Sequence, residues 1–226
     1  MIFGTRYSPA VPAAALALTL GWSVPSDATP AAEACRPAPP PSITVDAPIP
    51  APTVITNLDR DQLAGIRQSD AAGASFLPER LDGLTSSRVV TRYQIAIEQT
   101  QRHPDCFRIS RLDVDIDVAK LEVYIVSELG PASCRHRVTL DHEMQHVAVL
   151  EAGLAGFRKR LQAALEADHF VRPVRADSVE DAFHMLGDAA AETVEALRTD
   201  AMSEIERGNR ELDTPASYAA LNARCP

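Results

Sequence analysis

The spacing of apolar residues changes near the middle of the chain. Tyr93, Ile95 and Ile97 alternate with Arg92, Gln94 and Glu98; Leu112, Val114, Ile116 and Val118 alternate with Asp113, Asp115 and Asp117; Val123 and Ile125 alternate with Glu122 and Tyr124. A period of two marks strands with one buried and one wet face, the usual signature of an antiparallel sheet. From Thr139 the period becomes helical. Leu140, Val147, Leu150, Leu154, Phe157, Leu161 and Leu165 predict a helix to about Ala167. His169 to Asp177, with Pro173, reads as a turn, and Ser178 with Asp181 as the cap of a second helix. That helix carries Val179, Phe183, Leu186, Ala190, Val194, Leu197, Ala201 and Ile205 on one face, and Gly208-Asn209 can end it. The expected fold is α+β: a small antiparallel sheet of about three strands against a long antiparallel helical hairpin. Shorter signals add a helix over Asn57–Ile66, a loop over Ala71–Ser87 and a last turn over Pro215–Leu221.

The N-terminal region has a different composition. Arg6, the apolar run Val11–Trp22 and small residues at Ser26-Asp27-Ala28 and Ala32-Glu33-Ala34 read as a secretory signal peptide over residues 1–34. The run is too short for a comfortable membrane span, and no later segment supplies one. Residues 36–52 hold seven prolines, so 35–56 reads as an extended tether, with Ile43–Val45 able to pair as an edge strand. Residues 57–226 remain as one domain with enough chain for a core. The expected location is exported, periplasmic or secreted.

Charge and cysteines narrow the partners. A net charge of −9, from 22 basic and 31 acidic residues, argues against nucleic acid. Four cysteines in an exported chain suggest two disulfides. Cys106–Cys134 is expected because both flank the β-rich region, leaving Cys35–Cys225. A second reading makes Cys35 the acylated first residue of a lipoprotein, although Leu is missing three residues before it.

One stretch names a chemistry. His142-Glu143-Met144-Gln145-His146 puts two imidazoles one turn apart on one helix face, where both can reach a single metal ion with Glu143 beside them. A catalytic zinc site needs a third protein ligand. Val149 and Ala152 stand where a metzincin would have Gly and His, so that pattern is absent. Glu166 lies about 30 Å along an unbroken helix from the motif, and Glu151 points away from the histidines. Equal rise along the hairpin brings Glu204 level with His142, inside the apolar stripe, and makes it the expected ligand. Asp200, Glu195, Glu192 and His184 are the alternatives. His103, His136 and His169 fall in or beside expected loops and read as surface histidines. The ladder Asp113, Asp115 and Asp117 lacks the glycine turn and distal Glu of a calcium loop, so it reads as a solvated strand face.

With His142-Glu143-x-x-His146 on a helix, a sheet before it and an acidic residue on a later helix, the chain resembles the gluzincin branch of zinc metallopeptidases. It is also similar to a bacterial group of predicted secreted zinc-dependent proteases. The customary downstream Glu-x-x-x-Asp is not met: Ala196 follows Glu192, and Thr199 follows Glu195, at that spacing. The resemblance implies hydrolysis of peptide or protein substrates with one Zn2+ per chain held by His142, His146 and an acidic residue. Glu143 would act as general base on a zinc-activated water. Tyr218, His184 or Arg198 would stabilise the oxyanion. The related architecture would let Leu121–Val126 act as an edge strand that pairs with substrate, although a plain structural strand is the first reading. Two other readings remain open, a non-catalytic metal-binding module and a disulfide-stapled interaction domain.

Overall fold

A computed structural model describes Cys35 and residues 39–70, 81–100, 103–167, 170 and 172–225. The expected signal peptide and His169 lie outside the described residues. Five strands form one sheet: β1 (Ser42–Asp46), β2 (Thr53–Ile55), β3 (Gly83–Thr100), β4 (His103–Ile125) and β5 (Val174–Arg175). Four helices are described: α1 (Arg60–Asp70), α2 (Cys134–Leu165), α3 (Val179–Leu212) and α4 (Pro215–Ala223).

β4 organises the sheet. β3 lies antiparallel along its whole length, while β1 and β2 pair with it in parallel and β5 antiparallel. Because β3 fills one edge of β4, the other three share the opposite edge. The expectation of a small antiparallel sheet on a helical hairpin is therefore overturned. Parallel pairing forms the middle of a mixed sheet, and its partners come from the proline-rich segment expected as a tether.

Two β-bulges explain why alternation misled. Val89 pairs with Val118 but Arg88 with Lys120, which leaves Ala119 as an extra residue; Ser110 is skipped in the same way. Each extra residue switches the parity of the inward set. Phe107 and Ile109 face the core, then Leu112, Val114, Ile116 and Val118, then Leu121, Val123 and Ile125. The apparent break between two strands is a bulge inside one. The outer face carries the aspartates, where Arg92 pairs with Asp117 and Arg111 with Asp113.

α2 begins at the cap Ser133, whose hydroxyl accepts from the His136 amide. It packs Val147, Leu150, Leu154, Phe157, Leu161 and Leu165 into the core. Arg158 and Gln162 donate to the Val45 and Ile43 carbonyls of β1 at 2.9 and 3.2 Å, tying the helix to the sheet. α3 starts at the cap Ser178 and lies closely against α2. A Cβ at Gly208 would stand 2.8 Å from Val149 Cγ1, so this glycine permits close helix approach. It does not end the helix, which continues to Leu212.

The disulfides are Cys35–Cys106 and Cys134–Cys225, which corrects the expected Cys106–Cys134 and Cys35–Cys225 pairing. β5 brings the chain past the start of β4, while the second bond joins the start of α2 to the segment after α4. Cys35 spends its sulfur on Cys106 and offers none for acylation. No helix among the described residues is long and apolar enough to cross a membrane.

Candidate metal centre

His142, Glu143 and His146 sit on the covered side of α2, 3%, 5% and 8% exposed. Buried polar groups of this kind need partners. The partners come from the end of α3 and its corner with α4. Asp213 Oδ1 stands 3.2 Å from His142 Nε2 and 3.3 Å from His146 Nε2. Asn209 Oδ1 accepts from His146 Nδ1 at 3.0 Å, which turns Nε2 toward Asp213 and the inside of the site. The Tyr218 hydroxyl donates to the same Asp213 oxygen at 2.8 Å, and its ring lies 5.4 Å from that of His142.

One ligand atom from each of His142, His146 and Asp213 lies within 4.8 Å of the others, a group able to hold a metal ion. Ligands of a tetrahedral ion with bonds of about 2.0–2.1 Å stand about 3.4 Å apart. The two histidine-to-aspartate distances already match that spacing, and two imidazoles with one carboxylate suit a borderline divalent ion. The residues present fit the group.

Charge is distributed accordingly. Burial opposes ionisation of Asp213, yet hydrogen bonds from His142, His146 and Tyr218 hold its carboxyl far below the usual range. Burial also opposes the charged form of His146, but its bond to Asp213, aided by Glu143, keeps the imidazole above its ordinary value. Burial and the neighbouring Asp213 push the Tyr218 hydroxyl up, so it stays a protonated donor. Glu143 is raised chiefly by burial, against the opposing pull of His146, His142 and a hydrogen bond from Thr85.

β3 positions Glu143. Thr85 Oγ1 lies 2.9 Å from Glu143 Oε2 and 3.0 Å from its carbonyl oxygen. A Cβ at Gly83 would come within 2.7 Å of both Glu143 Oε1 and Thr139 Cγ2, so only glycine lets the strand press against the helix here. Both residues fall in a segment expected as loop. A small open cleft runs beside them, lined by Leu81, Gly83, Thr139, Glu143, Tyr218 and Leu221.

Several expected positions are corrected. Glu204 is not at the histidines: it pairs with Arg160 at 2.9 Å and is half exposed. The hairpin register assumed that both helices start from the same turn. Instead the chain leaves α2 for the β5 pairing at Cys106 and Phe107, so α3 reaches His142 nine residues later, at Asp213. Glu195 pairs with Arg198 on the surface, and Glu192, Asp200 and His184 are exposed. His136 is buried in α2 at 8% exposure, with no hydrogen-bond partner for Nε2. Leu121–Val126 is not an edge strand, because β2 and β3 flank it on both sides.

Asp213, Asn209, Gly83 and Thr85 were missed. Asn209 and Asp213 repeat the four-residue spacing of the histidines and prolong the Ala201–Ile205 stripe, a signal hidden by reading Gly208-Asn209 as a stop. The sequence Asp213-Thr214-Pro215 also marks a helix corner, since Thr214 caps α4 and Pro215 opens it. No family model, curated protein or solved structure matches this chain.

Proposed function

We propose that this chain is an exported zinc-dependent metallopeptidase in which His142, His146 and Asp213 hold the ion and Glu143 is the general base. The observation that carries the reading is the convergence of two imidazole nitrogens and a carboxylate oxygen beside a buried glutamate. Bound there, zinc would supply a Lewis acid that acidifies water and polarises a carbonyl. Glu143 accepts the proton of the attacking water and delivers it to the departing amine, and burial tunes it toward that task. Thr85 and the bare backbone of Gly83 hold its carboxylate in place. Tyr218 holds a neutral hydroxyl next to His142, and turning it from Asp213 would let it donate to the developing oxyanion. The two disulfides favour an oxidising compartment, periplasmic or extracellular.

The test joins metal content to hydrolysis. Purified protein should take up one zinc per chain and cleave unfolded protein. His142→Ala and Asp213→Ala should lose the zinc, and Glu143→Gln should keep it while losing cleavage. Failure to bind zinc sinks the reading. Zinc retained without cleavage under any condition would instead make this a non-catalytic metal-binding module.

A further inference from the structure

We infer that Arg135 is a carboxylate-recognition site of the cleft, selecting peptides with a carboxylate about three residues from the bond cleaved. The inference rests on the peptidase reading and adds the substrate class. Arg135, Thr139, His142 and His146 follow one stripe of α2, and Arg135, Thr139 and His142 all line the cleft. Seven residues separate Arg135 from His142, or about 10 Å of helix. An extended peptide covers that distance in about three residues at ~3.3 Å each.

The guanidinium is fixed before any substrate arrives. Arg135 Nε donates to Asp82 Oδ2 at 3.0 Å, and Nη1 donates to Asn222 on α4. Asp82 is 7% exposed, and its other oxygen accepts from Arg60 Nε and Nη2 at 3.2 and 2.8 Å. Asp82 is thus a positioning residue with both oxygens engaged. Among the described residues nothing accepts from Arg135 Nη2, and the side chain is 29% exposed. Arg135 is also the only Arg or Lys among the described residues that line the cleft, which Leu81, Asp82 and Leu221 line as well. A planar fork held at two of its nitrogens presents the third with little further loss of freedom, which suits a carboxylate oxygen. An Asp or Glu side chain and a free chain terminus offer the same chemistry.

The experiment profiles cleavage of N-acetylated synthetic peptide libraries, one with free C-terminal carboxylates and one C-terminally amidated, by the zinc-loaded full chain. A carboxylate should be enriched about three residues from the cut. Enrichment of Asp and Glu in both libraries identifies the side chain as its source. Preference confined to the free-acid library, for cuts at that distance from the end, identifies the terminus. Arg135→Gln should lower kcat/KM for carboxylate-bearing peptides about tenfold and abolish the preference. Arg135→Lys should restore part of it, and Asn222→Ala, which removes one brace but keeps the cation, should weaken the preference without abolishing it. Direct binding to the zinc-loaded Glu143→Gln protein, by calorimetry with an acid and amide pair of one cleaved peptide, should favour the acid and lose that preference with Arg135→Gln. Cleavage without enrichment, or a preference unchanged in Arg135→Gln, overturns the inference while leaving the peptidase standing. No cleavage of either library overturns both.

Discussion

The two halves of the candidate metal centre are held in different ways. His142, Glu143 and His146 belong to a 32-residue helix whose core face is packed against the sheet. Asp213 and Tyr218 belong to a corner and a nine-residue helix, α4, that buries no residue. A helix that short is marginal by itself. α4 is kept over the cleft by Cys134–Cys225, by Arg135 on Asn222, by Arg224 on Asp141 at 3.2 Å and by Tyr218 on Asp213. All but the last reach back to the first turns of α2. Packing therefore secures the histidines, whereas Asp213, the third candidate ligand, hangs from the end of α3 and is steadied by crosslinks and polar ties.

That contrast can be broken at either side. The largest effect belongs to the packed half: Glu143→Gln should lower kcat by about 10²–10⁴-fold with zinc content unchanged, read by steady-state kinetics and metal analysis. Next comes the tied half. Cys134→Ser with Cys225→Ser should cost about 2–4 kcal/mol in denaturant unfolding and weaken zinc binding as Asp213 loses its restraint. The matched pair Cys35→Ser with Cys106→Ser should cost a similar amount without weakening zinc, because that bond lies at the far end of β4. Equal zinc affinity in the two double variants would contradict the division.

Smaller effects test the strand that steadies Glu143. Gly83→Ala places a methyl against Glu143 and Thr139 and should cost about 1–3 kcal/mol while reducing kcat. Thr85→Val removes a hydrogen bond that lowers the Glu143 pKa. The base works deprotonated, so activity rises with pH through that pKa, and the variant should move the acid limb of the pH–rate profile upward. The smallest change is Glu204→Gln, which breaks a half-exposed ion pair. It should alter stability by less than about 1 kcal/mol and leave zinc affinity unchanged, as isothermal titration would show.

What the amino-acid order reveals follows the same line. His142, Glu143 and His146 are neighbours in sequence, so their shared face follows from helical geometry alone. Ser178 as a cap was equally local. Asp213 required the register between two helices, and the intervening excursion to β5 shifts that register by nine residues relative to Glu204. Period-two alternation identified inward faces along β4 but could not say what lay beside them. Ala119 and Ser110, as bulges, made one strand look like several. Cysteine pairing depended on the fold as a whole, and so did the burial of His136.

The parallel partners of β4 have a kinetic consequence. Residues of β1 and β2 pair with β4 residues 69 further along, Ser42 with Arg111 and Thr53 with Glu122. The shared offset makes 42–55 one path along β4, interrupted where Pro48, Pro50 and Pro52 cannot donate to a ladder. The β3–β4 hairpin closes through near neighbours, whereas without the Cys35–Cys106 crosslink this path must close a long loop first. We expect the hairpin to form in the rate-limiting step of folding and the N-terminal path to dock afterwards. In protein carrying Cys35→Ser and Cys106→Ser, Val45→Ala should then speed unfolding and leave the refolding rate almost untouched, an assignment that stopped-flow chevrons can reverse.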